Sequence, residues 1–368
     1  MSGRSAVRLR VTSVGTSPSG RGGMSSVVRL INETTAARSD VRCVHVTTFR
    51  QGPPALRAAV SIRGVAIVAV RLLFRRVDVL HLHLSYKGSG VRKAGLSTFA
   101  RVLGVATVLH AHGGGFTAWF DGLAPRHRRV LRRALRAQLV IVLSEGLRAP
   151  YAQRLELPIE HVVALPNPVV IPDQAVDQHN DVPVTIAFLG RFSQAKGVYD
   201  LVRAVALVPH PVRQRLRVVL AGDGEDEQLR AEVSALGLDG VVVVAGWLDG
   251  QAKASLLAGA HVLALPSYHE SMPMAVLEGM AYGLVPLVAP VGGLVDLVAD
   301  GCDGIFVEAG DVPGLAAAIE RLVNDDASRA RMGAAARAKT AEHHSLPGWA
   351  DRLATLWRGA YQLQHGPR

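Results

Sequence analysis

The chain has 368 residues, about half of them apolar and 19% charged, with 37 Gly and 19 Pro. This composition excludes collagenous, disordered and coiled-coil classes, and at roughly 100 to 200 residues per domain the length favours two domains. Only Cys43 and Cys302 are present, which excludes a disulfide framework and a Cys-rich zinc fold and fits a reducing compartment such as the cytoplasm. The formal charge of +11 is divided unevenly: residues 1–170 hold 25 Lys+Arg against 7 Asp+Glu, a net +18, whereas residues 171–368 carry a net −7. The first half is therefore expected to seek phosphates, on nucleic acid, an anionic membrane face or a phosphorylated substrate.

Met1 to Arg10 carries three Arg, and no apolar run of the required length follows, so no secretory signal is expected. Short β-branched runs then alternate with longer helical stretches: Val7 to Val14, Val41 to Thr48, Val77 to Leu84, Val105 to His110, Leu139 to Leu143 and Val162 to Leu165. Between the second and third runs, Val60 to Phe74 is apolar but interrupted by Arg63 and Arg71. It is shorter than the roughly 20 residues that span a bilayer and is expected to form a buried or interfacial helix. The polar and Pro-rich stretch from Leu165 to Asp181 has the composition of a linker. The rhythm then repeats through Val184 to Leu189, Leu216 to Ala221, Val241 to Ala245, His261 to Leu265, Val285 to Ala289 and Gly304 to Val307. Continuous apolar strands separated by helices predict an α/β chain of two doubly wound parallel-sheet domains, each sheet covered on both faces. Ligands of such sheets bind beyond the carboxyl ends of the strands, so chemistry is expected in the strand-to-helix loops of two domains facing across a cleft.

Two such loops carry a strong pattern. Gly190-Arg191-Phe-Ser-Gln-Ala-Lys196-Gly197 places two cations just after a strand and before a helix opening near Val198, a setting that favours a phosphate. Alone, these would equally be solvated surface cations. Pro266 to Glu278 follows the strand ending near Leu265; Ser271 is positioned to cap a helix with Pro273 in its first turn, leaving Glu270 at the helix mouth and Glu278 two turns inside. Glu270 could meet sugar hydroxyls and Glu278 a ribose diol, or the two could be a capping residue and an exposed helical residue.

Gly190-Arg191 and Lys196-Gly197 followed by Glu270 and Glu278, with seven residues between the acids, resemble the donor site of the retaining glycosyltransferases of family 4, which have the GT-B fold. The resemblance extends to Gly22-Gly23 after the first strand, His110-Ala-His112-Gly113, Leu165-Pro-Asn167-Pro, Gly222-Asp-Gly224, Gly292-Gly293 and Asp300-Gly-Cys-Asp-Gly304. Asp296 departs from it, standing where many relatives carry Glu. The resemblance implies an acceptor-binding Rossmann-like domain at 1–172, a nucleotide-sugar-binding domain at 173–345, and a terminal helix, 346–368, crossing back to the first domain. It also implies that Arg191 and Lys196 neutralise the donor diphosphate, Glu278 holds the ribose, and Glu270 and His112 meet the transferred sugar. Gly22, Gly23, Gly190, Ser271 and Met272 would complete the donor site, with no cofactor and no divalent metal required. His81-Leu-His83 to Lys93, with His110 to Phe116, resembles a bacterial subset of the family that extends exopolysaccharide or capsule saccharides. That implies a hexose donor such as GDP-mannose or UDP-glucose and a lipid-linked saccharide acceptor.

Other chemistries are weaker. His81/His83 and His110/His112 have the spacing of ligand pairs on a strand face, but no carboxylate or Cys stands beside them to complete a metal site. His112-Gly-Gly-Gly-Phe116 imitates the oxyanion loop of an α/β esterase; the nearest approach to a nucleophile elbow is Val142-Leu-Ser144-Glu-Gly146, which lacks the first Gly. Gly15 to Gly22 lacks the Lys and the Ser or Thr of a phosphate loop. Pro125 to Gln138 should form a helix with Arg126, Arg128, Arg129, Arg132, Arg133 and Arg136 on one face and Val130, Leu131, Ala134 and Leu135 on the other. With Arg71, Arg75, Arg76, Arg92 and Lys93, that face could hold the protein peripherally on the inner, anionic face of the plasma membrane and admit a membrane-embedded acceptor. No nucleic-acid recognition module is present.

Overall fold

A computed structural model describes residues 8–112, 115–178 and 183–366. Gly113 and Gly114 of the His112 to Phe116 loop, and residues 179–182 of the linker, lie outside the described residues. The chain divides into two compact units, one running to Pro168 and taking back the chain from Leu346, the other comprising Val169–Ser345.

The first unit is built on β1 (Leu9–Thr16), β2 (Val41–Phe49), β3 (Val79–Leu84), β4 (Ala106–Ala111), β5 (Leu139–Val142) and β6 (Val162–Ala164). All pair in parallel, in the order β2-β1-β3-β4-β5-β6. Every residue of β3, β4 and β5 is buried, as expected for strands covered on both faces. The second unit repeats the design with β7 (Val184–Leu189), β8 (Leu216–Ala221), β9 (Val242–Gly246), β10 (Val262–Leu265), β11 (Val285–Val288) and β12 (Ile305–Phe306). Its order is β12-β11-β10-β7-β8-β9, again parallel. In both sheets the sequence order reverses beside the first strand, between β1 and β3 and between β7 and β10. Loops distant in sequence thereby share one sheet end.

The helix Leu346–His365 closes the first unit with an apolar stripe of Trp349, Leu353, Trp357 and Ala360. The spacing of three or four residues keeps these side chains on one face. The indole of Trp349 donates to the Pro166 carbonyl at 2.6 Å, and that of Trp357 donates to His81 Nδ1 at 2.8 Å.

The apolar segment expected to be buried or interfacial is the helix Pro54–Leu73, of which only Gly64, Val68 and Leu72 are buried. Gly64 lies so close to β2 that a Cβ would sit 2.3 Å from the Thr47 carbonyl oxygen. The opposite side leaves Ile62 at 71% and Phe74 at 69% exposed, together with Ile67, Val70 and Leu73.

The Arg-rich helix differs from the expectation at its end and on its apolar face. It spans Pro125–Ala134, so Arg136 lies beyond it, and Val130 is 66% exposed. Leu131 and Leu135, one turn apart, take the buried direction, and Val130 points about 100° away from Leu131. Arg126, Arg129, Arg133 and Arg136 are exposed, whereas Arg128 and Arg132 are partly buried. Arg132 is turned inward by an ion pair with Glu156 and a 2.8 Å hydrogen bond to the Arg154 carbonyl. No helix of the described residues is long and apolar enough to cross a membrane.

Candidate active site

In the second unit, the adjacency of β7 and β10 assembles the site. β7 runs into Gly190, exposed Arg191 and buried Phe192, whose N–H donates to the Asp223 carbonyl at 2.7 Å. After the turn Gln194–Lys196, Gly197 leads into the helix Val198–Leu207. Gly197 has φ +69°, and a Cβ there would lie 2.1 Å from the Pro266 carbonyl oxygen, so glycine is what allows the two loops to close. The Tyr268 N–H then donates to the Ala195 carbonyl at 3.0 Å, and the Lys196 ammonium reaches Glu270 Oε1 at 2.5 Å. The Glu270 side chain is only 8% exposed, so this ion pair and hydrogen bond compensate a carboxylate that has lost most of its water. Arg191 has no hydrogen-bond or ion-pair partner among the described residues and leaves its charge available beside that loop.

The expected cap does not form. The helix after Glu270 is Met274–Tyr282, its N-cap is Pro273, and no side chain caps it. A proline at 273 disfavours the helical region for Met272, so the helix cannot start early enough for Ser271 to cap it. Residues 270–272 instead lie against the loop after β11, where a Cβ on Gly292 would fall 1.8 Å from the Glu270 carbonyl oxygen and one on Gly293 1.9 Å from that of Ser271. Met272 is buried and Ser271 partly buried. Glu278 is the fifth residue of the helix, in its second turn, and its Oε1 accepts from Lys253 Nζ at 2.6 Å. Lys253 belongs to the helix Gly250–Ala258 and was not anticipated, because nothing in its local sequence marks it. Asp200, Gln194 and Tyr268, also unanticipated, brace the same loops: Tyr268 Oη donates to Asp200 at 3.0 Å and Gln194 Nε2 donates to it at 3.2 Å.

In the first unit, Gly22 and Gly23 are exposed at the start of the helix Gly23–Ala36, after β1. His81 and His83 on β3 gather with His110 of β4 and with His112, which follows it, because His83 sits opposite His110 in the parallel register. His83 Nδ1 lies 2.8 Å from His112 Nε2, and His110 Nδ1 lies 3.3 Å from His81 Nε2. Ser13 of β1 joins the group, with Oγ at 3.0 Å from His83 Nε2 and 3.1 Å from Nδ1 of His45 on β2. Burial holds the imidazoles neutral, pushing His81 and His112 down to about 3, His45 to about 4, and His83 and His110 well below the usual range.

His81, His83 and His110 each offer a ring nitrogen within 4.8 Å of the others, the one such group among the described residues that could hold a metal ion. The hydrogen-bond polarity opposes that use. An indole N–H can only donate, so Trp357 requires the lone pair of His81 on Nδ1 and the proton on Nε2, where a ligand would need its lone pair. His81 Nε2–H in turn donates to His110 Nδ1, leaving His110 Nε2–H as a buried donor without a partner among the described residues.

Two other expectations are corrected. Lys93, expected among the membrane-facing cations, is 2% exposed and donates to Thr48 Oγ1 at 2.8 Å. Burial, with the nearby charge of Arg92, lowers its pKa to about 7. The esterase reading finds no support: Ser144 is buried and in ordinary extended backbone, φ −149° and ψ 158°, where a nucleophile elbow requires an exposed serine on a strained turn.

A family model described as "Glycosyl transferases group 1" matches residues 172–339, and one described as "Glycosyltransferase Family 4" matches residues 22–171. An α-D-kanosaminyltransferase of Streptomyces kanamyceticus is 29% identical over 78% of this chain and 79% of its own length. A D-inositol 3-phosphate glycosyltransferase of Corynebacterium aurimucosum is 29% identical over 56% of this chain, and the match spans about half of that relative, 55%. Among solved structures, HepE of Anabaena in complex with UDP-glucose superposes with a TM-score of 0.72 at 20% identity, covering 94% of this chain and 98% of that one.

Lys93 makes stability depend on pH with a definite sign. Between its folded value of about 7 and its unfolded value of 10.5, only the unfolded chain holds the proton, so stability rises as pH is raised through that window. In urea unfolding, wild type should gain on Lys93→Met by up to about 1.4 kcal/mol per pH unit between pH 7 and 10. A stability difference independent of pH would contradict the neutral buried amine.

Proposed function

Because the chain belongs to the family 4 glycosyltransferases, with the GT-B fold, we propose that it is a retaining enzyme transferring a hexose from GDP-mannose or UDP-glucose to a lipid-linked saccharide during exopolysaccharide or related glycan synthesis. The observation that carries the donor reading is the Lys196–Glu270 pair at 2.5 Å, held where loops from β7 and β10 meet. One ammonium can keep that carboxylate and still donate to a phosphate oxygen, since it has three N–H bonds. That geometry supports a reading in which Glu270 meets the transferred sugar where it joins the diphosphate.

In this reading, Arg191, Lys196 and the backbone N–H groups entering the helix Val198–Leu207 stabilise the departing nucleotide diphosphate. Fixed cations supply what a divalent metal would otherwise provide, so none is required. Glu278 accepts the ribose hydroxyls, with Lys253 holding its carboxylate in place. His112 of the first unit orients a sugar hydroxyl, and Gly22, Gly23, Gly190, Ser271 and Met272 contribute through their backbone. UDP-glucose is the first donor to test, because the HepE structure was solved with it.

Peripheral attachment to an anionic membrane is supported less by the Arg helix than by Pro54–Leu73 and the residues after it. Exposed Ile62, Ile67, Val70, Leu73 and Phe74 lie on a segment that also carries Arg57, Arg63, Arg71, Arg75 and Arg76. Apolar side chains that enter the headgroup boundary among cations suit such a surface, and a lipid-linked acceptor would be met there.

A screen of nucleotide sugars by nucleoside diphosphate release should yield one preferred donor, and Lys196→Ala or Arg191→Ala should lower its turnover by about 10² to 10³-fold, with Arg191→Ala, which breaks no ion pair, leaving the fold intact. Wild-type rates in both variants would remove the donor site from these loops. Activity should survive a chelator; abolition with rescue by manganese would point to metal-dependent transfer. In flotation with vesicles rich in phosphatidylglycerol, wild type should rise with the lipid and the double variant Ile62→Ser with Phe74→Ser should stay behind. Equal behaviour on neutral vesicles would dispose of the membrane reading.

A further inference from the structure

The proton positions in the histidine group of the first unit follow from one carbonyl oxygen. His45 Nε2 lies 2.9 Å from the Thr16 carbonyl, which can only accept, so His45 carries its proton on Nε2 and a lone pair on Nδ1. Ser13 must therefore donate its single hydroxyl proton to His45 Nδ1, at 3.1 Å. Having used that proton, Ser13 Oγ can only accept from His83 Nε2, at 3.0 Å. His83, protonated on Nε2 and neutral, has its lone pair on Nδ1, so His112 Nε2–H donates to it at 2.8 Å. Every step has one solution as long as the rings are neutral, and their burial keeps them so.

We infer that Ser13, His45 and His83 are positioning residues that lock His112 in its Nε2–H tautomer, so that its Nδ1 lone pair is offered as an acceptor to a hydroxyl of the substrate. The inference rests on the assignment of His112 to the sugar. It makes His112 select a hydrogen-bond donor such as a sugar hydroxyl and reject an anionic oxygen, which would meet lone pair against lone pair.

The sheet is built for this arrangement. Ser13 stands opposite His45 in the β1–β2 register and beside His81 in the β1–β3 register, and residues two apart on a strand share a face. Two positions on, Gly15 makes room for the His83 ring: a Cβ there would lie 3.0 Å from His83 Cδ2. The His112 N–H donates to the Leu84 carbonyl at 3.0 Å, fixing the backbone that carries the last ring. The Trp357–His81–His110 series packs alongside, with the His110 and His112 ring centroids 4.0 Å apart.

Long-range 1H–15N spectra of protein carrying 15N-histidine read each tautomer directly, with His83 and His112 assigned by the signals lost in His83→Gln and His112→Gln. Wild type should show both rings protonated on Nε2 only, and Ser13→Ala should release them into tautomer mixtures. With UDP-glucose as the first donor probe, Ser13→Ala should lower kcat about tenfold with little change in KM, and Ser13→Thr, which keeps the hydroxyl, should recover most of it. Protonation of His83 and His112 on Nδ1 in wild type would overturn the inference, as would unchanged kcat in a Ser13→Ala protein that His112→Ala inactivates. Failure of the glycosyltransfer reading would show differently, as absence of turnover with any nucleotide sugar while the wild-type spectra still display the Nε2–H tautomers.

Discussion

A nearly buried carboxylate held by an ammonium 2.5 Å away ties the loop after β7 to the loop after β10, and the arrangement of the second unit's strand-end loops depends on that tie. Without that partner, the charge on Glu270 would be costly to bury. Glu270 has little water left to solvate its charge, and Lys196 needs a reason to point inward from a turn of three residues. The pair leaves the ammonium with donors to spare and keeps the carboxylate beside them. Such a geometry suits a ligand that carries an anionic group next to a neutral polyol.

The constraint behind the tie is backbone proximity. The loops of the second unit approach until carbonyl oxygens fill the space a side chain would need, at Gly197 against Pro266 and at Gly292 and Gly293 against Glu270 and Ser271. Parallel strands of order β12-β11-β10-β7-β8-β9 bring those loops to one edge, and only then do the glycines matter. The first unit uses the same sheet logic for another purpose. Its central strands carry polar side chains inward, and neutral imidazoles there bond to one another in fixed directions, with His110 Nε2–H alone among those rings left as a buried donor without a partner among the described residues.

Much of this could be read along the chain. The twelve strands of the described residues fall where the apolar runs stand, within a few residues, and the central ones, buried on both faces, leave an unbroken apolar signature. The spacing of Arg191, Lys196, Glu270 and Glu278 singles them out in the sequence, and the structure brings Lys196 to Glu270 while leaving Arg191 without a partner among the described residues. What could not be read was orientation. Lys93 looks like one more cation of a basic surface, yet the helix Gly88–Val102 turns it into the core against Thr48. Val130 looks apolar and therefore inward, yet a ten-residue helix buries Leu131 and leaves Val130 outside. Ser271 has the chemistry of a cap, but Pro273 moves the helix start beyond its reach.

By itself the sequence determined the class of the protein: two parallel-sheet units, a basic first half, and a pattern of paired cations and paired acids in strand-end loops. These are local properties, set by hydrophobic period, charge count and the spacing of residues near one another in the chain. Only the tertiary structure decided the partners, pairing Glu270 with Lys196, Glu278 with Lys253, and His112 with His83, Ser13 and His45. Those residues are separated by 25 to 74 positions or are linked through a third strand, and the crossovers that bring them together follow from sheet order, which no local pattern encodes.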